Sequence, residues 1–182
     1  MNYEKAIRNS SSLDEIFEIV KEIGREAIGV ERLDIRILLT DLGYSYNGFI
    51  GAFYHYPTNT ITLNLSPLRE IAEKYPKLIK YYLFHLLLHE YVHALGVSKE
   101  LRTRKIVYLI SKEYFGENHI LTQLSLDMGK VLLQLERENS ISNYRKDFFE
   151  EIDEIFSEIF DNISGMMSSS WAEIDFSFDF DY

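Results

Sequence analysis

His85-Leu86-Leu87-Leu88-His89-Glu90-Tyr91-Val92-His93-Ala94-Leu95-Gly96 is the stretch around which the rest of this chain is organised. Within it, His89-Glu90-Tyr91-Val92-His93 has the pattern H-E-x-x-H. On an α-helix, residues four apart stand one turn above each other, so the His89 and His93 imidazoles can aim at one point. A divalent cation there, zinc above all, needs such a pair, a third protein ligand and an open position for water. Glu90 is rotated about 100° from His89 by the helical period, which turns it away from being the third ligand. It stays close enough to the activated water to act as its general base.

The surroundings of the motif argue the same way. Tyr82, Leu83, Leu86, Leu87, Leu88, Val92, Ala94 and Leu95 make the helix apolar nearly all round, which marks it as buried. Read without a metal, two histidines and a glutamate on such a helix would cost several kcal/mol in desolvation unless each found a partner. A shared cation removes that objection.

Working outward, the chain of 182 residues is sized for one main domain, with 46% hydrophobic residues and 14% aromatics, as a folded globular protein has. There is no cysteine, so a zinc site here must use histidine and carboxylate ligands. No apolar run approaches the roughly 20 residues of a membrane span, and Met1-Asn2-Tyr3-Glu4-Lys5-Ala6-Ile7-Arg8 lacks a signal-peptide core. These features predict a cytoplasmic protein that does not enter a membrane. Abundant isoleucine, glutamate and lysine without cysteine also suit a thermophile. The net charge is −10, and residues 144–182 hold eleven acids against Arg145 and Lys146. With no basic face, nucleic acid is not an expected partner.

The periodicities predict an α+β fold, a small twisted, mostly antiparallel sheet packed on a helical core. Ser11 or Ser12 opens a first helix whose stripe Leu13, Ile16, Phe17, Val20 and Ile23 ends at Gly29. Leu33 to Leu39 reads as a strand, Gly43 to Gly48 as a loop, and Phe49–Tyr56 with Thr60–Leu65 as a hairpin turned by Pro57-Thr58-Asn59. Ser66 and Pro67 look like a helix start; Pro76 separates that helix from the motif helix, which Gly96 ends. Helices follow over 99–114 and 120–137, then a polar linker over 138–143. Domain boundaries fall at 1–138 and 139–182, the second part an acidic amphipathic helix (Phe148, Phe149, Ile152, Ile155, Phe156, Ile159, Phe160) and an acidic–aromatic tail.

The order of sheet, hairpin and buried motif helix resembles the zincin metallopeptidases, particularly compact minigluzincin-like forms, over about residues 13–135. The resemblance implies a zinc-dependent peptidase acting on a peptide or protein substrate. It also implies that His89 and His93 hold Zn2+, that Glu90 activates water, and that one hairpin arm over 49–56 holds the substrate backbone. The third ligand departs from known patterns: Gly96 matches an extended H-E-x-x-H-x-x-G-x-x-H motif, but its last position is Lys99. Imidazole chemistry puts His119 first, Glu100 second and Glu117 third. A tight antiparallel turn at Gly96 favours Glu100, whereas His119 needs the next helix to cross at a wide angle. His85 lies about 12 Å of helix rise from His93 and reads as a core or outer-sphere residue, and His55 as a strand surface residue. Three further readings are an acidic tail that binds within the chain or to a partner, a metal-free helical binding module that uses this tail, and a non-catalytic interaction module in which zinc only staples helices. A closed four-ligand site marks the last, an open one a catalyst.

Overall fold

The computed structural model describes residues 2–44 and 50–139. In chain order the elements are α1 (Tyr3–Asn9), α2 (Leu13–Ile28), β1 (Arg36–Thr40), β2 (Ala52–His55), β3 (Thr60–Asn64), α3 (Leu65–Lys74), α4 (Ile79–Ala94), α5 (Glu100–Phe115) and α6 (Ile120–Asn139), with a 3₁₀ turn at Pro76–Leu78. The fold is α+β, mostly helical, with one small sheet. The segment expected as a separate acidic part over 139–182 lies outside the described residues except for Asn139.

The sheet is mixed, which corrects the expectation of a mostly antiparallel one. Its order is β1-β3-β2, with β1 parallel to β3 and β2 antiparallel to β3. The cause is the connection over 41–51, which carries the chain past the central position to the outer edge. β2 therefore runs opposite to β1, and its hairpin partner β3 returns between them. One side chain organises this crossover. The Asn64 side chain, fully buried, accepts from the amides of Leu42 and Ser66 and donates to the carbonyls of Gly43 and Ile50. It ties both ends of the connection to β3 and also caps α3. The N-cap is thus Asn64, not Ser66 as the Ser-Pro pair suggests, and the helix begins directly where the strand stops. Asn59 takes the left-handed conformation the hairpin turn calls for, at φ 55°.

α2 follows its expected bounds. Ser12 accepts from the Glu15 amide, Glu15 reaches back to the Ser11 amide, and Gly29 closes the end at φ 79°. α1 was not foreseen. It is seven residues long, capped by Asn2, and buries only Tyr3 and Ile7, too little periodicity to stand out. α6 is broken at Asp127, whose extended backbone interrupts the expected single helix while its carboxylate accepts from the Lys130 amide and caps the second half.

α4 is the central rod. It touches every other described helix together with β2 and β3, and Tyr82, Phe84, Leu87, Leu88, Tyr91 and Val92 are completely buried along it. Being apolar on all sides it has no face to show solvent, so the fold wraps it. Tyr91, a variable position of the H-E-x-x-H motif, packs edge-on against Phe17 of α2, and its hydroxyl accepts from the Arg32 amide. The same Arg32 donates to the carbonyl of Ala94, one of the unpaired acceptors at the helix end. These contacts fix the rotation of the C-terminal half of α4. No described helix is long and apolar enough to cross a membrane.

Candidate metal centre

Local chain geometry brings the donors together. After Ala94 the Gly96 amide bonds to the carbonyl of His93 and the Val97 amide to that of Val92, a Schellman turn that needs the left-handed φ of 101° at Gly96. The turn folds the chain back, so the Val97 carbonyl lands 2.7 Å from His93 Nδ1 and also accepts from the buried Thr103 hydroxyl at 3.2 Å. α5 starts three residues later. Glu100, its first residue, places Oε2 3.1 Å from His89 Nε2 and 3.2 Å from His93 Nε2. Its other oxygen, Oε1, accepts from Arg104 Nε at 2.6 Å.

Among the described residues His89, His93 and Glu100 form the only group of three or more potential ligands, with all donor atoms within 4.8 Å of one another. The donor set fits a tetrahedral cation such as zinc. Ligand atoms about 2.0–2.1 Å from zinc at tetrahedral angles stand about 3.3 Å apart, close to the two nitrogen–oxygen separations here. The hydrogen bonding fits as well. A neutral His93 that donates its Nδ1 proton to Val97 presents a lone pair at Nε2, facing a carboxylate oxygen that is also an acceptor. Two acceptors at that separation repel, and a cation between them reverses the sign. Donation from the far nitrogen to a backbone carbonyl is also the usual way a ligating imidazole is oriented.

Both histidine side chains keep some exposure, and that of Glu100 is 52% exposed. A cation held by these three donors would keep one coordination position open to solvent. Burial pulls His89 below its usual range, while Glu100 pulls it back. For Glu100, burial works to raise the carboxyl, but the Arg104 hydrogen bond and the two histidines outweigh it and hold it down at about 2.

Glu90 faces another way. It is 7% exposed, and burial pushes its carboxyl up to about 7, with Glu100 adding to the rise and His93 opposing it. Its carboxylate accepts a hydrogen bond from the Tyr54 backbone amide. The Asn64 amide donates to the Gly51 carbonyl, which sets the alternation of the hairpin. The amides of Phe53 and His55 point at β3, and those of Ala52 and Tyr54 point to the open edge of the sheet. Glu90 thus sits under the edge of β2 that pairs with no strand among the described residues.

The third position corrects the expected order. His119 does not approach the motif. It lies at the far end of α5, about 24 Å of helix rise from Glu100, because α5 runs back along α4 instead of crossing it widely. There His119 Nδ1 accepts from the Leu121 amide, its ring stacks on Phe115 and meets Tyr81 edge-on, and Nε2 is 3.9 Å from Glu4. It caps α6 and closes the corner between α1, α4 and α5. Glu117 pairs with Lys112. His85, as read from the sequence, stays out of the cluster. Its Nδ1 is buried with no partner and its ring centroid lies 6.5 Å from that of His89. His55 is half-buried and meets Thr58 Oγ1 at 2.7 Å. Arg104, Thr103, the Val97 carbonyl and the Tyr54 amide were not singled out. Only Arg104 carries a sequence signal, its i+4 spacing from Glu100. No family model, curated protein or solved structure matches the chain.

Proposed function

We propose that this protein is a zinc-dependent metallopeptidase of the zincin type. The observation that carries the reading is the convergence of His89 Nε2, His93 Nε2 and Glu100 Oε2 beside a buried Glu90 under an open strand edge. A cation on those three donors supplies Lewis-acid polarisation of a peptide carbonyl and eases deprotonation of water. Glu90 takes the proton from the attacking water and passes it to the leaving amine. Arg104 and Val97 keep Glu100 and His93 pointed at the centre. At the edge of β2 the Ala52 amide and the carbonyls of Ala52 and Tyr54 face outward, where an extended substrate backbone can add as a further strand.

The test combines metal analysis of natively purified protein with hydrolysis of an unstructured protein substrate. The expected result is one zinc per chain, cleavage that stops on chelation, and a Glu90→Gln variant that keeps the metal and loses turnover by about 100-fold or more. Zinc bound without Glu90-dependent cleavage would instead make the metal a staple of α4 to α5.

A further inference from the structure

The outward face of α5 carries a stripe at helical spacing: Leu101, Lys105, Leu109 and Lys112. All four are exposed, Leu101 at 83% and Leu109 at 52%. Exposed Arg102 flanks the stripe, and between Lys99 and Lys112 five basic residues face a single acid, Glu100. Among the described residues, Arg102 and Lys105 have no ion-pair partner. Lys112 already pairs with Glu117, but the stretch around Leu101, Arg102, Lys105 and Leu109 is complete only with an occupant both apolar and acidic.

The chain itself contains one. Residues 148–160 place Phe148, Phe149, Ile152, Ile155, Phe156, Ile159 and Phe160 at helical spacing, with Glu150, Glu151, Asp153, Glu154 and Glu158 between them, and no basic residue occurs after Lys146. We infer that residues 148–160 dock as an amphipathic helix along the outward face of α5. The apolar side seats on Leu101 and Leu109, and the acids meet Arg102 and Lys105. Length agrees. Leu101 to Lys112 spans about 17 Å of helix rise, and residues 148–160 as a helix span about 20 Å. The eight residues 140–147 that follow α6 reach up to about 26 Å, roughly the whole length of α5. Charge also selects the face. The exposed apolar residues Leu33 and Tyr56 near the sheet lie among Glu31, Asp34, Arg32 and Arg36, charges that cancel, so an acidic segment gains nothing there.

Because the chain has no cysteine, Ser157→Cys creates a single site for a nitroxide spin label on the full-length protein. The expected result is selective loss of amide NMR intensity over α5 from Leu101 to Lys112. That loss should be relieved by Arg102→Glu with Lys105→Glu, and separately by Leu109→Ser, while the rest of the spectrum stays folded. No localised loss, or loss centred on the sheet, would overturn the proposal. So would loss that persists when spin label and isotope label sit on different molecules, since the occupant would then be a second copy.

Discussion

Two turns of this molecule begin alike and end differently. At Gly96 and at Gly116 a helix stops on a glycine with positive φ, and a few residues later a new helix starts beside a candidate metal ligand. After Gly96 the new helix opens with Glu100, held against two imidazoles. After Gly116 it opens with His119, which spends Nδ1 on a backbone amide and its ring on Phe115 and Tyr81. Donor chemistry alone puts His119 first, yet it is Glu100 that stands beside the two imidazoles. What decides is which end of the helix pair each turn closes. A Schellman turn one step past His93 brings the first residue of α5 back over the motif, and the length of α5 then carries the second turn away.

The strongest challenge to that contrast is removal of each donor in turn. Glu100→Ala should weaken zinc binding by about 100-fold or more, beyond the effect of an outer-sphere partner, with affinity measured against a chromophoric chelator. His119→Ala should leave zinc affinity unchanged. The opposite pattern would reverse the assignment. A next test concerns an imidazole on α4 that stands outside the cluster. Burial first, then the neighbouring His89 and Arg104, lowers His85 to about 3. Below the ordinary histidine value near 6.5 the unfolded chain takes up a proton that the folded one refuses, so the His85 contribution to stability falls as pH drops from there toward 3. Glu90, raised to about 7, works in the opposite direction over the same range, so the His85 loss is read as a difference: from pH 6.5 to 4.5, wild type should lose on the order of 2 kcal/mol relative to His85→Phe in urea titrations. Arg104→Ala should lower zinc affinity by about 10-fold, with Arg104→Lys restoring part of it, since the guanidinium holds the far oxygen of Glu100. The smallest effect belongs to the second turn, where His119→Ala should cost about 1 kcal/mol of thermal stability through the lost cap.

Much of the centre could be read before the structure. The i, i+4 geometry fixes His89 and His93 on one helix face, and the apolar run fixes that helix in the core; both depend only on local periodicity. Helix ends at Gly29 and Gly96 and the hairpin turn at Asn59 were legible because left-handed backbone restricts the residue choice. The sheet's parallel pair was not, since it depends on where a connection of eleven residues crosses, and the Asn64 side chain that pins it looks like any strand asparagine. Which third donor would stand beside the histidine pair was undecidable for a related reason. The placement of α5 beside α4 goes with contacts such as Thr103 with His93, which join residues on both sides of the turn and leave no period in the sequence.

One earlier detail bears on how this protein tolerates change. Tyr91 occupies a position the metal motif leaves open, yet a Cβ placed on Gly24 of α2 would come within 2.7 Å of its ring. The glycine and the tyrosine are two halves of one steric fit, and neither touches the chemistry. Substitution at position 24 would have to be matched at position 91, so the two should vary together or not at all. A screen for the proposed activity alone would register damage at Gly24 as a defect of the candidate site, although the fault lies in how two helices meet.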